Sequence, residues 1–329
     1  MNKKYSELAE LFRSEKTDEE ILDFLLNYHK NDIADMMAGM TEEERKRLYH
    51  LLGAQKVAEI FKYIEEPRKY IRELSVESAA RVISEMDSDD AVDLLEDLDP
   101  EEKEQIVRML DEDAKKDVKM LLSYDEEEIG SCMTTNYICI PENLTIRQAM
   151  SELVKQAGEN DNIMTIYVVD EKGVFAGAID LKDLIRAREN AHLEDLVLKS
   201  YPYVTDHEKI DDCMDRILDY AEDSIPVLSE DKKILGVITS EDLIEMVDNE
   251  MGEDYAKLAG LTAEEDLKEP TLQSMKKRLP WLIILLFLGM AVSSVVGLFE
   301  NVVAVLPIVI CFQSLVLDMA GNVGTQSLA

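Results

Sequence analysis

Two groups of carboxylates are the residues whose type and spacing would do chemistry. Asp89, Asp90 and Asp93 are close neighbours, and Asp89 and Asp93, four apart, share one face of a helix. Like charges at that spacing disfavour a helix by roughly 0.2–0.5 kcal/mol unless a cation sits between them. The same acids in a first turn favour the helix dipole instead, and spacing alone leaves both readings open. The second group is Glu241, Asp242, Glu245, Asp248, Glu250, Glu253 and Asp254. Glu241, Glu245 and Asp248 fall on one helical face, as do Glu250, Glu253 and Asp254, and nothing basic stands between Lys233 and Lys257. Oxygen ligands without Cys or His suit a hard cation: Mg2+, Ca2+ or Mn2+. No D-x-D-x-D-G calcium loop is present, and the four cysteines form no CxxC pair beside only four histidines, which sets a soft-metal site aside. With no P-loop, dinucleotide fingerprint or nucleophile–base pair, the chain reads as a non-enzyme.

Charge narrows the partners. The 329 residues carry a formal net charge of −35. After residue 280 only Glu300 and Asp318 are acidic, and nothing basic follows Arg278, so the first 280 residues hold all but two of the 70 acids and all 35 bases. Such a field repels the phosphates of nucleic acid. It disfavours anionic lipid everywhere except at the cluster Lys276-Lys277-Arg278. A merely solubilising surface explains scattered acids but not their clustering at domain edges. The first residues, MNKKYSELAELF, lack the apolar core of a signal peptide, so the thiols are expected to be reduced and cytoplasmic.

The elements that must position the acids come in three kinds. Residues 1–128 read as all helix, with apolar residues at helical spacing. Met86, Leu98 and Leu110, twelve apart, each precede an acidic break that reads as a helix start. In the second break Asp99 is expected to cap, Pro100 to occupy the first helical position and Glu102 to complete a reciprocal cap. Met40-Thr41-Glu42-Glu43 looks like an earlier copy, and short helices at a fixed period make a solenoid-like domain. Beyond residue 131, strand-like runs cover 163–170 and 224–228. Residues 168–185 match 227–244 at an offset of 59, and 145–150 match 209–214 at an offset of 64, so an α/β module with helix, strand, turn, strand, helix order is duplicated. Last come two uncharged apolar runs, 279–299 and 301–317, each about long enough to span a bilayer. The preceding Lys-Lys-Arg cluster places the earlier residues on the cytoplasmic side. Gly289, Ser293 and Gly297 form a small-residue stripe suited to close helix packing, as in a homodimer. Asp318, at the inner end of the second run, is a functional candidate by its placement. Asn322, Thr325 and Gln326 follow closely, polar side chains that are rare so near a membrane span.

The duplicated module resembles tandem CBS domains, whose tail runs Gly, two strand residues, Thr or Ser, then an Asp opening a helix. Gly236, Thr239 and Asp242 supply it in the second copy; the first has Gly177 and Asp183, with Asp180 where Thr would stand. This resemblance implies ATP or AMP at Thr239 and Asp242, the Asp on the ribose hydroxyls, while Asp180 would oppose a phosphate in the first copy. The whole order resembles the MgtE magnesium transporter family, most specifically at 86–95, Cys132-Met133-Thr134, 167–171, Arg278-Leu279-Pro280-Trp281 and 321–327. It implies a multidomain α and α/β membrane protein: an all-α helical-repeat N domain (1–128), CBS domains at 129–192 and 193–250, a connecting helix (251–277) and a partial membrane domain (278–329). Two transmembrane helices, about 279–299 and 302–320, are expected there, with the chain truncated after the second.

The same resemblance implies regulatory Mg2+ on Asp89, Asp93, Asp211, Asp242, Glu245, Glu250, Glu253 and Asp254. Ala221 departs from an Asp that the family can carry, with Glu222 or Asp223 as substitutes. Transported Mg2+ would pass Asp318, Asn322, Thr325 and Gln326. A multi-pass homodimer in the cell membrane is implied, with its N-terminal domains in the cytoplasm and no nucleic-acid partner. Two unit charges about 6 Å apart repel by roughly 0.7 kcal/mol in water and near 3 kcal/mol at an effective dielectric of about 20. Bound Mg2+ would cancel such repulsion across a domain interface, and the connecting helix would then shut the membrane part. The rival reading is a membrane-anchored adenine-nucleotide sensor.

Overall fold

The computed structural model describes residues 17–64, 66–125, 127–158, 160–188, 191–247 and 271–298, together with Phe312, Leu315, Val316, Met319, Ala320 and Val323. Residues 1–16, the segment 248–270 and most of the second apolar run lie outside them. The chain divides into two units, 1–240 and 241–329, each taken by itself.

The first unit opens with helices α1 (Asp18–Leu25), α2 (Lys30–Met37), α3 (Glu42–Phe61), α4 (Pro67–Ile71), α5 (Val76–Ser84), α6 (Ser88–Glu96), α7 (Pro100–Met109) and α8 (Glu112–Leu121). Thr17 and Thr41 begin α1 and α3 with capping boxes closed by Glu20 and Glu44. Ser75, Asp87, Asp99 and Asp111 are the N-caps of α5 to α8. The twelve-residue period of helix starts therefore runs one repeat further back than the acidic breaks, through a serine. Helix α5 packs on α7, and α6 on α8, so positions two repeats apart share a side of the stack. Ile83, Leu94, Leu95 and Leu121 fill its interior.

One expected cap does not form. Asp99 sits at the N-cap with Pro100 behind it, but its side chain makes no capping hydrogen bond. Its carboxylate accepts instead from Arg68 Nη2 at 3.1 Å and from Arg72. Glu102 accepts from Arg72 Nε at 3.0 Å rather than reaching back to the cap. A guanidinium fork makes charge-assisted bonds that are stronger than a bond to a neutral amide, and it wins both acids.

Two similar three-stranded sheets follow. The first has strands β1 (Ile138–Pro141), β2 (Thr165–Val169) and β3 (Phe175–Asp180), with α9 (Ile146–Gln156) and α10 (Leu181–Arg186). The second has β4 (Val204–Thr205), β5 (Ser224–Leu228) and β6 (Ile234–Thr239), with α11 (Ile210–Leu218), and α12 begins at residue 240. In each sheet the first strand pairs parallel with the second, and the second antiparallel with the third. Both hairpins shift register at equivalent points, Val168/Val169 and Val227/Leu228. Alternation along β2 sends Ile166 and Val168 into the first repeat's core and Tyr167 the other way, against Ala178, Tyr201 and Val237. Tyr167 Oη and Ser224 Oγ lie 2.6 Å apart, and the Tyr201 hydroxyl donates to the Ser224 carbonyl at 2.7 Å, joining the repeats through a satisfied buried network.

The repeats also exchange backbone. Thr134 bridges Val237 of the second sheet, and Leu198 bridges Ala178 of the first. Val237 and Ala178 are 59 apart, Leu198 and Thr134 are 64 apart, the two offsets of the duplication. The close approach needs glycine at equivalent places. A Cβ on Gly177 would lie 2.5 Å from the Leu198 carbonyl oxygen, and one on Gly236 would lie 2.7 Å from that of Thr134. Gly177 also has φ +148°, where side chains are strained.

The second unit contains α13 (Thr271–Leu298), which covers the first apolar run. Its backbone runs 28 residues, but several of its side chains, Trp281 and Leu285 among them, fall outside the described residues. Among the described residues no helix is long and apolar enough to cross a membrane.

Gly177→Ala and Gly236→Ala are each expected to destabilise the paired repeats by about 2 kcal/mol, the scale of overpacking. Chemical denaturation should show similar losses for both; a loss in one alone would contradict the equivalence of the two crossings.

Candidate functional site

A cleft of about 640 Å³ opens where the helical repeats meet the first sheet's edge. Glu59, Glu85, Asp87, Asp111, Asp113 and Asp117 line its helical wall, and Asp161 its other wall, with no Lys, Arg or His in the described lining. The period of the helices explains the grouping. Asp87 and Asp111 start α6 and α8, two repeats apart, and so face the same side. Glu59 is met by Lys30 Nζ at 2.9 Å, and Asp87 by Lys62 Nζ at 3.7 Å, both outside the lining. Asp111 caps α8 by accepting from the Ala114 amide at 2.8 Å. Hydrogen bonds cross the cleft floor. The Thr135 amide donates to Ser88 Oγ at 2.9 Å, the Thr135 hydroxyl to Asp117 Oδ2 at 2.8 Å, and Asn136 Nδ2 to Asp87 Oδ1 at 2.7 Å. A hard cation entering this cleft would find oxygen donors from both walls.

The residues expected to hold metal are placed as follows. Asp89 and Asp90 lie half-buried in the first turn of α6, with Asp93 exposed one turn on; none of the three lines the cleft. Asp211 is exposed at the start of α11. Asp242 is half-buried and Glu245 exposed in the 240–247 helix. Glu250, Glu253 and Asp254 lie outside the described residues, as do Asp318, Asn322, Thr325 and Gln326. Among the described residues no three or more His, Cys, Asp or Glu are gathered to hold an ion. Thr239 ends β6, half-buried, opposite Ser224. Asp180 caps its own helix by accepting from the Lys182 amide at 2.7 Å. The cleft acids Asp111, Asp113 and Asp117 lie outside the expected metal set; the period of twelve, taken two repeats at a time, is the sequence signal that places Asp111 beside Asp87.

The helical domain also joins the second repeat. The Ile129 amide donates to the Glu208 carbonyl at 2.8 Å, the Gly130 amide to that of Asp206 at 3.0 Å, and the Ile210 amide to that of Glu127 at 3.0 Å. Tyr124 Oη donates to Asp206 Oδ2 at 3.1 Å, and its acidity is pushed down, its pKa up to about 12, by burial and by that carboxylate. His207 Nδ1 lies 2.9 Å from Glu128 Oε1, and Nε2 lies 3.8 Å from Asp206 Oδ2. The Glu128 hydrogen bond and the Asp206 charge hold His207 protonated above its ordinary range. The Asp125 amide and His207 hold the Glu128 carboxyl below its ordinary range.

Acidic helical repeats docked on a duplicated α/β pair, with acids lining the join, define a CBS-pair protein with an appended helical domain. The family model described as the MgtE intracellular N domain matches residues 28–127, and that of the CBS domain matches 127–190 and 193–249. "Magnesium transporter MgtE" of Enterococcus faecalis (strain ATCC 700802 / V583) is 39% identical over 333 residues, covering 100% of this chain and 73% of its own. A crystal structure of the soluble part of a magnesium transporter superposes with a TM-score of 0.71 at 30% identity, covering 75% of this chain and 98% of that one. The cytosolic domain of the Mg2+ channel MgtE in complex with ATP gives 0.66 at 26% identity, over 73% of this chain and 99% of that one. The chain belongs to the MgtE magnesium transporter family.

The joint at His207 has a definite pH window. The raised His207 value contributes stability below its ordinary pKa of about 6.5, lost as pH rises through the higher native value. The depressed Glu128 value contributes stability above its ordinary value, lost as pH falls through the lower native one. NMR titration should find His207 above the ordinary value and Glu128→Gln bringing it down; an unshifted His207 in the native protein would rule the contact out.

Proposed function

We propose that the helical repeats and CBS pair of this chain are the magnesium-sensing part of a magnesium transporter. The observation that carries this is the acidic cleft between two bodies of the first unit. Bound Mg2+ offsets the mutual repulsion of its walls and favours the closed arrangement, a shift of populations by differential affinity. The family resemblance adds Asp89, Asp93, Asp211, Asp242, Glu245, Glu250, Glu253 and Asp254 as further ligands, and Asp318, Asn322, Thr325 and Gln326 along the pore. Transport follows from kinship with proteins named as magnesium transporters. ATP at the CBS pair, through Thr239 and Asp242, is a second ligand proposed on the ATP complex of the Mg2+ channel's cytosolic domain. It would act beside magnesium rather than in its place.

Placement in the membrane rests on α13. Leu282, Ile284, Leu286, Phe287, Met290 and Leu298 are all exposed on it, which suits a lipid surface. Ser294 Oγ donates back to the Met290 carbonyl at 2.8 Å, so its hydroxyl is satisfied within the helix, as hydrocarbon requires. Gly289 and Gly297 leave open space beside them, suited to close approach by another helix. A homodimer is supported further by the duplication. Val154 on α9 and Leu218 on α11, 64 apart, are 68% and 44% exposed. Equivalent helices thus present apolar side chains to a second copy.

The test is limited proteolysis of the full chain in detergent, with magnesium, with calcium, and with sodium chloride at matched ionic strength. Magnesium should protect the bonds joining the helical repeats to the first sheet, and Asp113→Asn with Asp161→Asn should raise the concentration needed about tenfold. That factor corresponds to about 1.4 kcal/mol of lost attraction. Equal protection by all three salts would leave only general screening and sink the sensor reading.

A further inference from the structure

Thr134, Thr135 and Asn136 are consecutive, and between them they bond the helical domain and both repeats. Thr134, 3% exposed, exchanges both backbone hydrogen bonds with Val237 of the second sheet, each at 2.9 Å. Thr135 bonds Ser88 and Asp117 of the helical domain. Asn136 donates to Asp87 of that domain and accepts from the Asp161 amide, next to the first repeat's helix α9, at 2.9 Å. Three residues therefore tie the helical domain to both repeats, and Thr135 and Asn136 line the acidic cleft. Ser88 is 7% exposed, so the Thr135 bond to it is shielded from competing water.

We propose that 134–136 is a metal-independent latch, with Thr135 and Asn136 as positioning residues that hold the cleft walls together and so lower the magnesium concentration needed to close it. The proposal rests on reading the cleft as the cation site. Its chemistry is complementary to the acids above it. Thr135 Oγ1 and Asn136 Nδ2 each donate to a carboxylate, Asp117 and Asp87, so the latch draws two of the repelling groups down to the floor. Bonds of neutral donors to charged acceptors are among the stronger ones a protein makes. Thr134 cannot follow the helical domain if that domain moves, because its backbone belongs to the second sheet. On the cleft floor, the strain of an opening therefore falls on the bonds of Thr135 and Asn136.

Hydrogen–deuterium exchange of the full chain in detergent tests this, in a chelator and along a magnesium titration. Thr135→Val and Asn136→Ala should speed exchange at 86–98 and 133–137 in the chelator. Each should also raise the magnesium midpoint about fivefold, while protection at saturating magnesium stays at the wild-type level. Thr135→Ser, which keeps the hydroxyl, should restore the wild-type midpoint. Unchanged exchange in strands β2 and β5 will show that the variants are folded. Wild-type midpoints and wild-type metal-free exchange in both variants would overturn the latch. If magnesium alters exchange in no form, the cation reading of the cleft fails instead, and the chelator arm still decides whether the latch holds the walls.

Discussion

Carboxylates gathered on facing walls must be held together by something other than their own charge. In this protein the opposing terms are close in size. A pair of acids about 6 Å apart repels by roughly 0.7 to 3 kcal/mol, according to how much water screens it. A hydrogen bond to a charged group contributes about 1.5–3 kcal/mol. Lys30 and Lys62 approach from outside the lining, at Glu59 and Asp87. The Thr135 and Asn136 bonds meet Asp117 and Asp87 from the floor. Terms that nearly cancel leave an arrangement whose populations a modest differential affinity can shift.

Such a balance is useful only if one wall does not deform. The duplicated repeats supply that rigidity through exchange. Each repeat's leading segment pairs with the other's third strand, at Thr134–Val237 and at Leu198–Ala178. The glycines there let backbones meet more closely than any Cβ allows. The interface behind them is aromatic and closely packed: the rings of Tyr167 and Tyr201 meet edge to face with centroids 6.2 Å apart, and Tyr137 does the same at 6.0 Å. A force on the helical domain is thus met by a single body built of two repeats, and it is carried through the short segment 127–136 that touches both.

What the sequence revealed followed from periodicity, and what it hid followed from brevity and from distance along the chain. Helix starts at Ser88, Pro100 and Glu112 were legible because a cap leaves an acidic residue at a fixed interval. The duplication was legible because both copies keep the same tail, and its two offsets reappear in the backbone exchange. Strands β1 and β4 were not, since four and two residues are too short to show alternation. The expected reciprocal cap at Asp99 and Glu102 failed because Arg68 and Arg72 stand about thirty residues earlier, beyond any local pattern. The cleft escaped for the same reason. Its acids come from three helices and a loop of the first repeat, and only packing of alternate helices brings them to one side.

Ala221 shows how backbone and side chain can part company at such a site. Its φ is +51°, a left-handed conformation that costs an ordinary residue roughly 1–2 kcal/mol and that Asp and Asn tolerate better. The family can carry an Asp where this chain has Ala221, and the turn has a shape that suits one. The backbone is fixed from both sides: the Ala221 amide donates to the Leu218 carbonyl at 3.3 Å, and the Asp223 carbonyl accepts from the Ser240 amide at 3.0 Å. Strand β5 begins directly after it, with the buried Ser224 in the tyrosine network. The turn is therefore held by backbone bonds that need no carboxylate at position 221. Of the two acids that follow, Glu222 lies within 3.5 Å of the Tyr201 hydroxyl, so it faces the join of the repeats. Asp223 is exposed, which makes it the better placed of the pair to serve a cation in water.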